Sequence, residues 1–303
     1  MSMLEIVRPL RKEPALPRQA AMGFFTDTSL CIGCKACEVA CKQWNQLPGS
    51  TPEWRGSSYD NTGSLSAQNW RHVQFIEQIG LQRPGVIIEE QIYEAKDRGD
   101  IPAVAPGSAL HFFNSDRWLM QSDVCKHCVN APCLEACPTG AIIRTEFDTV
   151  YVQQDICNGC GYCVVACPFG VIARDELSDH HAHKCTLCYD RLKDGMEPAC
   201  AKACPTDSIQ FGEINQLRAN ARKRLGELHE RGVEDARLYG EDKSILDGGL
   251  NSFFLLLDRP EVYNLPERPA RPSQHVAPAS FWTIAAATIL GVLGILFFRE
   301  DEK

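Results

Sequence analysis

Cys157–Pro168 reads Cys-Asn-Gly-Cys-Gly-Tyr-Cys-Val-Val-Ala-Cys-Pro, and the rest of the chain is best read outward from it. Its spacing is C-x₂-C-x₂-C-x₃-C-P, the run that wraps a cubane [4Fe–4S] cluster. Three thiolates a turn apart cap three corners of one small cube. Gly159 and Gly161 tolerate the backbone angles of so tight a wrap and let amides approach the sulfurs. The fourth cysteine, before a proline that ends the local turn, points away and binds a second cluster. The stretch therefore demands a partner motif elsewhere in the chain.

Three further groups answer that demand. Cys31, Cys34, Cys37 and Cys41 repeat the spacing, with Lys42 in place of proline. Cys125, Cys128, Cys133 and Cys137 form a variant with four residues between the second and third cysteines. Cys185, Cys188, Cys200 and Cys204 close the series as C-x₂-C-x₁₁-C-x₃-C-P. All 16 cysteines fall in these groups. Eight disulfides do not fit such clustering beside a stretch of 83 residues, 42–124, that holds none. Paired C-x₂-C units also build zinc sites, so a zinc-bound interaction scaffold is the rival reading; zinc motifs do not pack four cysteines into eleven residues followed by proline. The net charge of −8 speaks against nucleic-acid binding, which wants a basic face.

Between the motifs the chain alternates loops and short elements. Residues 1–26 carry Arg8, Arg11 and Lys12 without an apolar core or a twin-arginine pair, and read as a surface arm rather than a secretory signal. Arg71–Gln78 and Gly85–Tyr93 read as strands, Ile101–Ser108 as loop, and Ala141–Arg144 with Val150–Gln153 as a hairpin. Three motifs end Ala-Cys-Pro with an isoleucine four residues past the proline (Ile142, Ile172, Ile209), so each resembles a ferredoxin unit of cluster turn, short helix and returning strand. Ile214–Arg231 places Leu217, Ala221, Leu225 and Leu228 at helical spacing. Five prolines from Pro260 to Pro278 mark an extended linker. Val276–Phe298 then runs 23 residues without a charge, long enough for one transmembrane helix.

No dinucleotide fingerprint, phosphate loop or nucleophile elbow is present. The chain reads as a wire with no catalytic site of its own, taking electrons from one partner and giving them to another.

The chain resembles the iron–sulfur beta subunits of membrane-bound respiratory formate dehydrogenases over most of its length, from about Thr28 to Phe298. The resemblance rests on the four motifs in this order, on Trp44-Asn45 after the first, on Tyr59-Asp60-Asn61, Leu65-Ser66-Ala67 and Trp70, on Cys185-Thr-Leu-Cys188 and Glu197-Pro-Ala-Cys200, and on the C-terminal apolar run. Dimethyl sulfoxide, polysulfide and nitrate reductase beta subunits share the four-motif pattern and are the alternative. The resemblance implies an α+β fold of two nested ferredoxin-like domains, each with two [4Fe–4S] clusters, plus one C-terminal transmembrane helix. The expected divisions are an arm (1–26), the first part of the outer domain (27–69), the inner domain with an insert (70–174), the second part of the outer domain with a packing helix (175–258), a Pro-rich linker (259–277) and the membrane helix (278–299). It implies four ligand sets: Cys31, Cys34, Cys37 and Cys204; Cys185, Cys188, Cys200 and Cys41; Cys125, Cys128, Cys133 and Cys167; Cys157, Cys160, Cys163 and Cys137. The implied partners are a molybdenum or tungsten pterin catalytic subunit and a membrane cytochrome b that reduces quinone. The implied location is the cell membrane, single-pass, with the globular part extracytoplasmic. Arg268 and Arg271 before the apolar run match Arg299 and Lys303 after it, so charge gives no orientation.

Two stretches depart from the family pattern. Ile79–Trp118 is longer than usual, and Asp179-His-His-Ala-His183 reads as a solvated linker. His127 reads as structural, since four cysteines already suffice for a cluster. Lys35, Lys126, Lys184 and Lys202 lie in or beside the first, second and fourth motifs, whereas no basic residue lies between Cys157 and Cys167. Positive charge favours the reduced, more negative cluster. The cluster held mainly by Cys157, Cys160 and Cys163 is therefore expected to have the lowest potential of the four. A redox titration followed by paramagnetic resonance checks this: Cys157→Ser should remove the lowest-potential signal, and loss of the highest-potential one would contradict it.

Overall fold

Met22–Asp27 forms strand β1, and Phe24, Phe25, Thr26 and Asp27 in it are wholly buried. In the computed structural model, which describes residues 20–49, 59–78 and 117–298, β1 lies inside a four-stranded sheet of order β8-β1-β10-β9. Its partners are β8 (Ile209–Glu213, antiparallel) and β10 (Ser252–Leu256, parallel), and β9 (Arg237–Tyr239) completes the edge. Successive side chains of a strand point to opposite faces. Accordingly Phe25 stacks on Phe253 at 5.4 Å in one core, while Phe24 enters a second core with Cys37, Cys125, Cys185 and Cys200.

This corrects the surface arm expected over 1–26. Residues 1–19 lie outside the described residues, but Met22–Asp27 is a buried central strand because its apolar pair serves both cores. No strand is expected from sequence at Ser252–Leu256, which is nevertheless the most buried of all, with every residue at 0% exposure. Gly85–Tyr93, Ile101–Ser108 and most of Ile79–Trp118 also lie outside the described residues.

The remaining elements are short. Helix α1 (Ala36–Trp44) follows the first motif; α2 (Pro132–Glu135) and α3 (Tyr162–Ala166) carry the ends of the second and third; α4 (Tyr189–Lys193) and α5 (Ala199–Lys202) belong to the fourth. Strands β2 (Arg71–Gln78) and β3 (Arg117–Val124) pair antiparallel from Arg71↔Val124 to Gln78↔Arg117. Strands β4 (Ile142–Arg144) and β5 (Val150–Val152) form the expected hairpin, and β6 (Ala173–Arg174) pairs with β7 (Ala182–His183). The second motif is stitched to the sheet through its backbone: Ser252 donates to Lys126 O at 2.9 Å and Val129 to Gly249 O at 3.1 Å.

Helix α6 (Ile214–Glu230) buries Ile214, Leu217, Ala221 and Leu228, the one face that a 3.6-residue period keeps together. It packs on β1 and β8, and Arg224 donates to the buried Asp27 carboxylate at 2.9 Å. The extended linker expected over 259–277 is instead packed against the domain. Tyr263 and Leu265 are buried, Tyr239 donates to Pro266 O at 2.6 Å, and Arg271 bridges Glu135 (2.9 Å) and Asp247 (2.6 Å). Here proline shapes tight 3₁₀ turns at Pro260–Tyr263 and Pro272–His275 rather than an open tether.

Helix α7 (Val276–Phe298) is long and apolar enough to cross a membrane, with a mean hydropathy of 1.8 over its best window and none of that window buried. At 1.5 Å per residue its length is about 35 Å, against a hydrocarbon core of about 30 Å. Its hydroxyls are satisfied within the helix: Ser280 donates to Val276 O, Thr283 to Ala279 O and Thr288 to Ile284 O, at 2.7–3.1 Å.

Phe25 holds the β1–β10 face together. Phe25→Ala is expected to destabilise the domain by about 3–5 kcal/mol, read as a lower midpoint of chemical denaturation, whereas Phe281→Ala on the exposed helix should leave that midpoint unchanged.

Candidate iron–sulfur sites

Each of the four motifs begins with the same backbone feature. The residue just before the second cysteine has positive φ in every one: Gly33 (67°), His127 (42°), Gly159 (69°) and Leu187 (57°). The left-handed conformation costs a non-glycine residue roughly 1–2 kcal/mol. The fold accepts that cost at His127 and Leu187, because the turn carries both cysteines to one side with backbone amides behind them. Leu187 N–H lies 3.3 Å from Cys185 Sγ. At Gly159 no side chain fits, since a Cβ would collide with the carbonyl oxygen of His180.

Twelve of the sixteen thiols come together as three quartets. Cys31, Cys34, Cys37 and Cys204 line one cavity; Cys125, Cys128, Cys133 and Cys167 line a second; Cys137, Cys157, Cys160 and Cys163 line a third. Cys41, Cys185, Cys188 and Cys200 line none of these cavities; all four are buried, and α1 and α5, which carry Cys41 and Cys200, pack together. Residues far apart in sequence, such as Cys37 and Cys204, thus share a wall. The only exposed cysteines are Cys34 and Cys160.

Burial pushes several of these thiols up, against the pull of Arg71 and Ser122 at Cys37 and of Lys184 at Cys133. Cys37 and Cys133 rise to about 12, and Cys163 and Cys188 to about 11. Thiolates persist in such surroundings only against a bound cation, and a coordinated thiol is deprotonated outright. Cys137 goes the other way. Burial pushes it up, but the Thr139 hydroxyl and the amides of Ile142, Thr139 and Ala141 outweigh that and hold it below the usual thiol range. Cys204 has a matching hydroxyl in Thr206, 3.7 Å away.

The lysines do not all point into water. Lys126 is buried, paired with Asp123 and 5.0 Å above the Phe254 ring; Lys184 is buried and donates to Val150 O (2.5 Å) and Cys185 O (3.0 Å). Both line the cavity of Cys125, Cys128, Cys133 and Cys167. The cavity of the opening run does meet one basic residue, Arg174, contributed from outside the run. Its guanidinium is neutralised by Glu176 at 2.8 Å. His127 is wholly buried and accepts from Val150 N–H at 3.1 Å through Nδ1; burial, reinforced by Lys184, Arg144 and Arg71, holds it neutral.

Sequence reading misses three contributors. Asp179–His183 is not a solvated linker: β7 begins in it, His183 pairs with Asp179 at 3.0 Å and stacks on Trp70, and Ala182 N–H lies 3.5 Å from Cys157 Sγ. Ser122 Oγ sits 3.2 Å from Cys37 Sγ. Arg71 lies fully buried behind Ser122. None of these carries a spacing signal, since each reaches its sulfur through tertiary packing.

Quartets of thiols with amides and hydroxyls at the sulfurs are the donor sets of an iron–sulfur protein of the ferredoxin type. Two family models, each described as a 4Fe-4S dicluster domain, match residues 30–141 and 116–214. The formate dehydrogenase iron-sulfur subunit of Haemophilus influenzae is 38% identical over 247 residues, 80% of this chain and 68% of that protein. The formate dehydrogenase-O iron-sulfur subunit of Escherichia coli K12 is 35% identical over 298 residues, 94% of this chain and 87% of its own length. A more distant relative, a polypeptide of the anaerobic dimethyl sulfoxide reductase of the same organism, is 32% identical over 206 residues, 68% of this chain and 78% of that one. The chain belongs to the family of 4Fe–4S iron–sulfur subunits that includes those of formate dehydrogenases.

The tight approach at Gly159 is testable. Gly159→Ala should lose the iron held by the opening run, lowering iron per chain by about one cluster of four, while Gly226→Ala on α6, where a Cβ meets nothing within 4 Å, should leave iron content unchanged.

Proposed function

We infer that this chain is the electron-transfer subunit of a membrane-bound formate dehydrogenase, carrying four [4Fe–4S] clusters between a catalytic subunit and a membrane cytochrome. The ligand sets follow the quartets: Cys31, Cys34, Cys37 and Cys204; Cys41, Cys185, Cys188 and Cys200; Cys125, Cys128, Cys133 and Cys167; Cys137, Cys157, Cys160 and Cys163. They fit the group on donor chemistry, with four thiols each and polar hydrogens at the sulfurs. The first motif then pairs with the fourth and the second with the third, as two nested ferredoxin-like domains. When bound, such clusters supply one-electron transfer at a potential set by their surroundings.

The observation that carries the reading is the linear order of the quartets. Cys37 of the first, Cys185 and Cys200 of the second and Cys125 of the third share one core, and Cys133 of the third shares the other core with Cys163 of the fourth. The exposed Cys34 and Cys160 stand at the two ends. Apolar side chains surround each end: Ile32 is 60% exposed beside Cys34, and Tyr162 (61%) and Val165 (89%) follow Cys160. Such patches suit docked partners. Arg271 and Ser273, just before α7, grip Glu135 of α2, the helix that leads into Cys137. The base of the membrane helix is thereby fastened beside the fourth quartet. Electrons then enter at Cys34, from a molybdenum or tungsten pterin subunit that oxidises formate, and leave at Cys160 to a cytochrome b that reduces quinone.

Similarity to formate dehydrogenase subunits supports the choice of substrate. On the strength of the same likeness, α7 is a single-pass anchor and the globular part is extracytoplasmic. The likeness to a dimethyl sulfoxide reductase polypeptide favours a second reading, in which the same wire runs toward a reductase.

Purification from native membranes with its companions separates the two. The complex should reduce a quinone analogue with formate as donor; a complex that instead reduces dimethyl sulfoxide and ignores formate would overturn the first reading.

A further inference from the structure

Arg71 opens β2 and is 2% exposed, yet among the described residues no carboxylate pairs with it. Carboxylates on the two elements that flank β2, Glu38 of α1 and Asp123 of β3, are engaged elsewhere. Glu38 accepts from the Val73 amide and from Thr62, and Asp123 pairs with Lys126. The guanidinium makes one hydrogen bond, from Nη1 to Ser122 Oγ at 2.9 Å, and Nε and Nη2 have no partner. The Phe24 ring covers one face at 4.9 Å. A guanidinium stays charged in any protein interior, so an unpaired one is costly unless anionic groups lie against it.

Cysteine sulfurs lie next to both partners of Arg71. Ser122, which accepts from Arg71, has its hydroxyl 3.2 Å from Cys37 Sγ. Phe24 packs in the same core as Cys37, Cys185 and Cys200. The thiols that act on Arg71 most are Cys200, Cys37, Cys185 and Cys41, drawn from the first and second quartets; they hold its pKa above the ordinary value although burial pulls it down. A Cys₄-ligated [4Fe–4S] cluster carries net negative charge in both oxidation states, which is the charge this cation lacks.

We propose that Arg71 is the shared counter-cation of the first two clusters, held between them by Ser122 and Phe24, and that it raises both reduction potentials. The inference rests on the ligand sets given under Proposed function. A fixed cation favours the reduced, more negative form of whichever cluster it faces. Placed between two, it draws the outer pair upward together. Among the described residues, the cavity of the fourth quartet is lined by one cation, Arg174, which is exposed and paired with Glu176. The two ends of the wire therefore differ by a buried, uncompensated charge.

Redox titration of the membrane-extracted complex, followed by paramagnetic resonance, tests this. Signals are assigned to the two ends with Cys34→Ser and Cys160→Ser. In the parent complex, iron content and the number of signals test the ligand sets by themselves: fewer than four clusters breaks that reading, whatever Arg71 does. In Arg71→Gln the four clusters should persist. At a fixed potential, the reduced-to-oxidised ratio of the first and second should fall at least tenfold, about 59 mV for one electron. The third and fourth should move less, and Arg71→Lys should lie near the parent. Unchanged potentials with all clusters in place, or an equal shift in all four, would overturn the proposal. If Arg71→Gln loses the outer clusters, Arg71→Lys decides: their return supports a charge role, and their continued absence refutes it.

Discussion

A thiolate buried away from water needs a cation, and this chain buries quartets of thiols in close succession. That constraint explains features that otherwise have separate causes. Left-handed backbone recurs at Gly33, His127, Gly159 and Leu187, two of them non-glycine, because each turn must present two sulfurs to one point. Burial drives Cys37 and Cys133 to about 12, so these two are stable as thiolates only against a bound metal. Metal binding at such sites is coupled to folding, and bound clusters would do part of the work that a larger hydrophobic core does elsewhere.

The protein part of the structure holds the quartets in line and grades their surroundings. Strand β1 separates two cores, Phe25 facing α6 and β10, and Phe24 facing the sulfurs. Buried cations differ in how they are compensated. Lys126 has Asp123, Lys184 has two carbonyls, and Arg71 has only Ser122 and the thiols. A row of similar clusters can acquire distinct potentials in this way, without any change of ligand. Arg271, fixed by Glu135 and Asp247, carries the same control of geometry to the base of α7.

Much of this was legible in the sequence where a local rule applies. The bounds of β2 and the start of α6 follow from alternation and from helical spacing, and the hairpin around Thr145–Thr149 from its flanking strands. The quartets are grouped by cysteine spacing together with family likeness. Local rules fail where burial is two-sided. Ser252–Leu256 and Met22–Asp27 have no alternation because both of their faces are covered. The prolines of 260–278 read as an open linker, whereas they shape turns packed by Tyr263 and Leu265. Arg71 looks like any surface arginine, since nothing nearby in sequence states that its pleat faces the sulfurs.

The most direct test of the whole account is the metal itself: iron and acid-labile sulfide measured per chain in the anaerobically purified complex, after subtracting the companions' share. The expected result is about sixteen of each, four per [4Fe–4S] cluster, with the brown colour of sulfide-to-iron absorbance. A colourless chain holding zinc and no sulfide would contradict it, and would turn the same quartets into a structural scaffold.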